Sequence, residues 1–185
     1  MANATWQQAD AMRLPFPDEG FALIVCQFGV MFFPDKQMSF REASRVLQCG
    51  GRYLFAVWDD WNKMTSAPLS IAADVVGGIL GCDPQSLVNP PYHYEDTIRT
   101  DLSAAKFQGI DIRRITQPGK AASGREAALA TVHGSLIRTV IEATDPQRLH
   151  EATDAVEQAF RAKFGKGEIV GTTSALVVAA EKPLL

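Results

Sequence analysis

Along the chain, continuous runs of hydrophobic residues alternate with segments whose hydrophobic residues recur at helical spacing. This alternation is the pattern of an α/β protein. The run Phe21–Gln27 follows a turn and predicts a strand that is buried on both faces, as in a parallel sheet. Asp35 is a candidate N-cap for a helix that Gly50 and Gly51 end. The apolar positions of this helix are Phe40, Ala43, Val46 and Leu47. Arg52–Trp58 predicts the next strand, so the three elements form a right-handed βαβ crossover.

The remaining chain predicts further helices and two more strands. Ser66 and Pro68 open the first of these helices, and Gly81 closes it. Ser123 and Glu126 have the spacing of a capping box. The other predicted elements are a helix over 94–105, a strand over 109–116, one helix that carries 129–141, a helix from Asp145-Pro146 to the residue before Gly165, and a last strand over 172–180. We expect a single domain, residues 1–185, with a core at 1–61, a helical insertion at 62–106, and C-terminal strands and helices at 107–185.

Composition narrows the classes of partner. Of the 185 residues, 46% are hydrophobic and 21% are charged, which is enough for one sizeable core. The formal net charge of -3 comes without a run of lysine and arginine, so neither nucleic acid nor a membrane surface is an expected partner. The cysteines Cys26, Cys49 and Cys82 are odd in number and widely spaced. This spacing predicts free thiols in a reducing compartment, the cytoplasm, and no metal site.

Two motifs carry a resemblance to a known family. Residues 8–35 read QADAMRLPFPDEGFALIVCQFGVMFFPD, and residues 41–58 read REASRVLQCGGRYLFAVW. The first motif resembles the third-strand end, loop and fourth strand of class I S-adenosylmethionine-dependent methyltransferases of the small-molecule, type 11-like group. The second resembles the helix and fifth strand of that family, where E-x-x-R-V-L-x-P-G-G is common and Cys49 stands here in place of proline. Lys106 likewise stands in place of the glycine in the family's A-G-F element.

The resemblance implies a Rossmann-like methyltransferase sheet with helices on both faces and inserted helices between Ser66 and Ala105. It also implies an incomplete cofactor site, because the family's glycine-rich turn after the first strand and its acidic residue after the second have no counterpart. Gly165–Gly171 is rich in glycine, but it follows a predicted helix and precedes a strand, which is the wrong order for a cofactor turn. We therefore expect an N-terminally truncated domain that begins near the family's third strand.

Asp10, Ala11, Gln27 and Phe28 are assigned to binding the S-adenosylmethionine cofactor, and Met31 is a further candidate for contact with its adenine. By resemblance, the Asp10 carboxylate accepts from the adenine amino group and the Ala11 N–H donates to a ring nitrogen. The alternative is a turn in which Asp10 bonds its own backbone. Gln27 and Phe28 leave the carboxyl end of a predicted parallel strand, where ligands of α/β sheets bind. Phe28 and Met31 have side chains able to pack on an adenine face, or they are simply part of the core.

Substrate binding is assigned to Trp58 and Met31. Trp58 opens the segment Trp58–Trp61, whose rings and carboxylates are suited to border a substrate pocket. A solvated loop with one buried tryptophan is the alternative. His93 is a candidate general base, against a structural role in a loop. The other two histidines have no carboxylate partner in view and receive no role.

The function that the resemblance implies is transfer of a methyl group from S-adenosylmethionine to a small-molecule substrate. The catalytic residues stay unknown, because the sulfonium is already activated and positioning supplies most of the catalysis. The alternative is a non-catalytic, methyltransferase-like module that retains the sheet and binds no cofactor. A nicotinamide-binding domain is excluded by the missing glycine fingerprint.

The strand Phe21–Gln27 also predicts the assembly. Without the strand that the family places beside it, Phe21–Gln27 becomes an unpaired apolar edge, and such an edge invites pairing with another chain. We therefore expect a homodimer or a larger homo-oligomer.

Overall fold

The computed structural model describes residues 4–60, 68–88 and 92–184. The elements in chain order are β1 (Phe21–Gln27), α1 (Lys36–Val46), β2 (Leu47–Trp58), α2 (Pro68–Leu80), α3 (Gln85–Val88), α4 (Glu95–Ala104), β3 (Gln108–Ala121), α5 (Gly124–His133), α6 (Leu136–Thr144), α7 (Leu149–Phe164) and β4 (Ile169–Glu181), with short 3-10 helices at Val30–Phe32 and Pro146–Arg148. Ser66 and Trp61, which were assigned from the sequence to a helix start and to a pocket border, lie outside the described residues.

The chain groups into two compact units. The first contains the described residues up to Asp59, those that follow Pro91 up to Ile115, and those from Ala175 onward. The second contains the described residues between Asp60 and Pro90 and the segment Thr116–Ser174. The division of a single domain at 61 and 106 stays a prediction.

Four strands form one sheet in the order β1-β2-β4-β3. β1 runs parallel to β2, with Val25 opposite Leu54. β4 runs antiparallel to β2, with Val178 opposite Phe55. Asp35 caps α1 by accepting a hydrogen bond from the Met38 N–H at 2.8 Å. The predicted βαβ crossover is therefore confirmed, with α1 as its helix.

The core of the first unit lies on one face of this sheet. Every second residue of β2 and β4 points into it, and α1 and α4 cover it. Its fully or almost fully buried members include Phe40, Ala43, Tyr53, Phe55, Val57, Ile98, Leu102, Leu176, Val178 and Ala180. The face is rich in aromatic rings, and Phe40 stacks on Phe55 with ring centroids 5.6 Å apart. Burial of this set anchors α1 and the carboxyl ends of β1 and β2 to a common base.

The prediction that β1 is buried on both faces is wrong. Ile24 and Cys26 pack against the core, but Leu23 is 49% and Val25 is 63% exposed. The reason is that α1 and α4 pack on the opposite face and that β1 is an edge strand, paired only with β2 among the described residues. β1 therefore presents an apolar face and a backbone edge together.

Two predicted helix ends are also wrong. The helix of the crossover ends at Val46 rather than at the two glycines, because Leu47 is already extended and fully buried at the start of β2. The single helix predicted over 129–141 is two helices. Gly134 ends α5, and the Ser135 hydroxyl accepts from the Ile137 N–H to begin α6. Short polar side chains favour such capping over a helix interior.

The second unit is built from helices. α5 packs on α7, where Arg125 Nη1 lies 2.6 Å from Asp154 Oδ1. Ser123 caps α5 as its spacing predicts, by accepting from the Glu126 N–H. Gly165 adopts a φ of 87° directly after α7, so the glycine-rich segment is a helix end followed by β4. None of the described helices combines the length and the apolar character needed to cross a bilayer.

Candidate functional site

Two aromatic rings meet at the carboxyl ends of β1 and β2. Phe28 and Trp58 are stacked with ring centroids 4.1 Å apart and an interplanar angle of 22°. The Phe28 N–H donates to the Ala56 carbonyl at 3.1 Å, which extends the parallel ladder by one residue beyond β1. Because parallel strands end at the same edge of a sheet, the stack lies where ligands of α/β sheets bind.

Phe28 has a backbone conformation that is uncommon for its residue type. Its φ of 55° lies in the left-handed region, where a side chain other than glycine costs about 1–2 kcal/mol. The next residue, Gly29, has no room for a side chain, since a Cβ there would come within 2.7 Å of the Cys26 sulfur. The chain thus turns sharply after β1, and the turn aims the Phe28 ring at Trp58. Strained backbone of this kind is concentrated at functional sites.

A buried carboxylate follows Trp58 directly. Asp59 is 2% exposed, and Arg114 of β3 donates to it from Nε at 2.6 Å. Arg114 Nη2 also lies 3.1 Å from Glu95 Oε1 at the start of α4. Hydrogen bonding to Asp59 is the largest cause that raises the pKa of the Arg114 guanidinium, so Arg114 stays charged. One cation thereby links the end of β2 with α4 and β3.

Tyr92 and His93 precede α4. The Tyr92 hydroxyl donates to Asp101 Oδ2 at 3.0 Å, and burial followed by the charge of Asp101 raises the pKa of this phenol, which stays neutral. His93 is half-buried, and its ring lies 4.3 Å from the ring of Tyr94. A base role for His93 stays a prediction.

The loop before β1 carries Asp10 and Ala11. Asp10 Oδ1 accepts from the Met12 N–H at 2.9 Å, which is the local turn considered as the alternative. The other carboxylate oxygen and the Ala11 N–H have no hydrogen-bond partner in the described part of the chain. Asp10 is exposed and Ala11 is half-buried. One acceptor and one neighbouring donor thus have no hydrogen-bond partner among the described residues, and their role in adenine binding stays a prediction.

Met31, Phe32 and Gln27 differ in their surroundings. Met31 is 3% exposed and packs in the core, which favours the core alternative. Phe32, which follows Met31, is 54% exposed. Gln27 is exposed at the end of β1, opposite Ala56.

The sequence interpretation missed one histidine partner. His150 Nε2 lies 3.6 Å from Asp154 Oδ2, one helical turn further along α7. His133 Nε2 lies 3.0 Å from the hydroxyl of Thr153, which itself donates to the Leu149 carbonyl. Both histidines belong to the helical unit, and these contacts explain their positions without a ligand.

Sequence reasoning also missed Arg114, Glu95, Glu42 and Arg45. From the sequence alone, Asp59 is only one of the carboxylates in the segment Trp58–Trp61. The i,i+3 spacing of Glu42 and Arg45 was visible within the family motif and is a signal for an ion pair on one helix face. Arg114 gave no comparable signal, because its partners are 55 and 19 residues away in sequence.

Comparison with known proteins gives a family match. The model of the methyltransferase domain family matches residues 1–55. The ubiquinone/menaquinone biosynthesis C-methyltransferase UbiE of Escherichia coli is 31% identical over 134 residues, which cover 63% of this chain and 50% of that enzyme. UbiE of Serratia proteamaculans matches with the same identity and coverage. The chain therefore spans about half the length of the curated relatives it matches.

Solved structures share the fold. A protein of Bacillus halodurans described as a methyltransferase has a TM-score of 0.56 and 16% identity, with 96% of this chain and 77% of that chain covered. The YcgJ protein from Bacillus subtilis has a TM-score of 0.54 and 19% identity, with 96% and 70% covered. The family resemblance and the Rossmann-like α/β fold predicted from the sequence are thus confirmed, and residues 1–55 are the part of the chain that matches the methyltransferase domain model.

Proposed function

We propose that this chain takes part in S-adenosylmethionine-dependent methyl transfer to a small molecule. The observation that carries the proposal is that the residues matched by the methyltransferase domain model include β1, α1 and most of β2, which form a parallel βαβ unit. At that edge Phe28 stacks on Trp58, beside the buried Asp59. The curated relatives named above are C-methyltransferases by name, which agrees with a small-molecule substrate.

In this proposal the cofactor lies between the loop and the end of β1. The Asp10 oxygen that is not bonded to Met12 accepts from the adenine amino group, and the Ala11 N–H donates to a ring nitrogen. Gln27 and Phe28 border the cofactor. Trp58 borders the substrate, and the buried Met31 supports this edge from the core. The cofactor supplies an activated methyl group, so the protein's own task is to orient the substrate nucleophile in line with it and to exclude water. No residue is assigned as an acid or a base.

Calorimetric titration with S-adenosylmethionine and S-adenosylhomocysteine tests the proposal. We expect a dissociation constant in the micromolar range, about -8 kcal/mol. Asp10→Ala should weaken binding about tenfold, a loss typical of a hydrogen bond to a charged group. Asp96→Ala, which removes an exposed carboxylate in the first turn of α4, is the matched control and should bind as the parent does.

The alternative is a non-catalytic module that keeps the sheet. It is favoured by the glycine-rich segment of the chain, which forms a helix end and not a cofactor turn. No heat with either ligand, in protein whose folding is verified by circular dichroism, would decide for this alternative.

We also propose that the chain forms a homo-oligomer through β1. The support is the coincidence of an edge strand with the exposed side chains of Phe21, Leu23 and Val25. A second copy placed antiparallel across a two-fold axis would continue the sheet and cover these side chains. Sedimentation of the protein over a range of concentrations measures the state directly, and a monomer at all concentrations would overturn the proposal.

A cytoplasmic location is proposed from the thiols. Cys26, Cys49 and Cys82 are all free, as expected for a reducing compartment. Labelling of intact cells should therefore succeed with a membrane-permeant maleimide and fail with an impermeant one.

A further inference from the structure

The loop that carries Asp10 and Ala11 has little regular structure of its own. Between Ala4 and Gly20 the only strand-like pairing in the described chain is the isolated bridge of Asp10 with Arg13. We call residues 10–18 the Asp10 loop. A loop without ladder bonds keeps one conformation only if other groups bond its backbone.

Two side chains of α1 provide those bonds. Glu42 Oε2 accepts from the Leu14 N–H at 2.8 Å, and Arg45 Nη2 donates to the Leu14 carbonyl at 3.0 Å. Both backbone polar groups of Leu14 are therefore bonded to α1. Arg45 Nη1 donates to the Phe16 carbonyl at 2.9 Å and to Asp18 Oδ1 at 2.7 Å.

Glu42 and Arg45 also fix each other. Arg45 Nε lies 2.9 Å from Glu42 Oε1, and Arg45 Nη2 lies 2.9 Å from Glu42 Oε2, a two-point contact between the guanidinium and the carboxylate. Such parallel charge-assisted bonds set direction as well as distance. The side chains of Arg45 and Glu42 are 32% and 18% exposed, so water competes only in part. Hydrogen bonding to Arg45 is the largest cause that lowers the pKa of Glu42, which keeps the pair charged at neutral pH.

The helix that carries this pair is itself held by the core. Phe40, Ala43 and Val46 of α1 are buried against the sheet. The Glu19 N–H, just after the Asp10 loop, donates to the Arg45 carbonyl at 3.0 Å. Through α1, the Asp10 loop is therefore attached to the same core that supports the ends of β1 and β2.

We propose that Glu42 and Arg45 are positioning residues that hold the Asp10 loop in the conformation that receives the adenine. The inference rests on the proposed cofactor function and deepens it, because it assigns a binding task to two residues that do not touch the cofactor. Only an arginine fits this position, since its planar fork reaches two carbonyls and two carboxylates at once, whereas lysine offers a single point of charge.

The test compares variants of α1 for their affinity toward S-adenosylhomocysteine and adenosine by calorimetry. Arg45→Met should weaken both ligands about tenfold or more, which corresponds to about 1.4 kcal/mol. Arg45→Lys should lie between Arg45→Met and the parent, because it keeps the charge without the fork. Arg41→Met is the matched control, since Arg41 is on the same helix, is exposed and contacts Gln37 at 3.3 Å rather than the loop. It should bind as the parent does.

Hydrogen exchange separates positioning from general stability. In Arg45→Met the amides of Met12 and Leu14 should exchange faster, while the amides of β2 keep their protection. If Arg45→Met does not fold, Arg45→Lys and Glu42→Gln test the inference instead, by ligand affinity and by hydrogen exchange of the loop.

The outcomes are distinct. A parent protein that binds neither ligand overturns the proposed function. A parent that binds, together with Arg45 and Glu42 variants of equal affinity and equal loop exchange, overturns this inference alone.

Discussion

Asp59 is a carboxylate held almost out of water, and Arg114 bonds it there. A buried charge that loses one of its partners destabilises a protein more than an exposed charge does, because less of its desolvation is offset. The side chain of Arg114 is 43% exposed, so water weakens its ion pair with Asp59 and limits the stability that is lost with it.

Arg114→Met should therefore lower the free energy of unfolding by about 2 kcal/mol, the range for hydrogen bonds to charged groups. The measurement is urea denaturation at neutral pH. Arg113→Met is the control, because Arg113 is 76% exposed and pairs with Asp111, its neighbour two residues away. A change of at most about 0.5 kcal/mol is expected there. Equal losses in the two variants would contradict the role given to Arg114.

The lowered pKa of Glu42 predicts that its contribution to the stability of the fold depends on pH. Its folded pKa lies below the ordinary value of 4.5, with Arg45 as the main cause and Arg13 as a weaker one. A carboxylate with a lowered folded pKa contributes stability above its unfolded pKa, and the contribution is lost as the pH falls through the folded pKa.

Glu42→Gln should therefore be less stable than the parent at pH 7, and the difference should shrink as the pH falls below 4.5. Thermal unfolding across this pH range measures the effect. Glu151→Gln, which alters an exposed ion pair on α7, is the control and should differ little from the parent in stability at pH 7. If the melting temperatures of Glu42→Gln and the parent differ by the same amount at every pH, the ionisation of Glu42 is not linked to stability.

At the scale of single elements, Lys106 ends α4 in a backbone conformation that favours glycine. Lys106 adopts a φ of 66°, and the Phe107 N–H turns back to the Leu102 carbonyl at 3.0 Å. Such a helix end needs the left-handed conformation, which glycine adopts at little cost.

Lys106→Gly should thus raise the free energy of unfolding by about 0.5–1 kcal/mol, since relief of the left-handed backbone exceeds the added freedom of the unfolded chain. Lys106→Ala keeps a Cβ and should give no gain. Melting temperatures of the three proteins give the comparison, and an equal gain with alanine would show that backbone strain is not the cause.

The sequence predicted most elements and missed the details that depend on distant contacts. The apolar runs identified β1, β2 and β4, and the capping residues Asp35 and Ser123 have the predicted roles. The start of β2 at Leu47 was not predictable, because the same apolar residues satisfy helical spacing and a buried strand. The exposure of β1 also depends on which elements cover it, and that is decided by the whole fold.

The residues of the candidate site were likewise predicted only in part from the sequence. Phe28 and Trp58 were named from their places at strand ends, and the structure stacks them. Arg114 was not named, because nothing in its surroundings along the sequence sets it apart from Arg113. Ion pairs between distant segments need the fold before they can be recognised.

At the scale of the whole molecule, the edge of β1 carries the prediction about assembly. Val25 is 63% exposed, so a lysine there should leave the folded chain intact and place a charge where a second copy would pair. Val25→Lys should weaken self-association at least about tenfold in analytical ultracentrifugation, as expected for a like charge buried on both sides of a two-fold interface.

Leu129→Lys is the matched control, because it places the same charge on α5 at a side chain that is 41% exposed. Its association should equal that of the parent. Dissociation by both variants would indicate a general effect of charge, and dissociation by neither would exclude β1 as the interface.

The strand order has a consequence for how the protein is made. β4 lies between β2 and β3 in the sheet, yet it is the last described strand to leave the ribosome. Arg52 and Glu181, which pair across β2 and β4, are 129 residues apart. At about 5–20 residues per second, a nascent chain waits roughly ten seconds with its central strand open on one side. During synthesis, chaperones should therefore bind the exposed edge of β2. A chain that is truncated before β4 should be degraded.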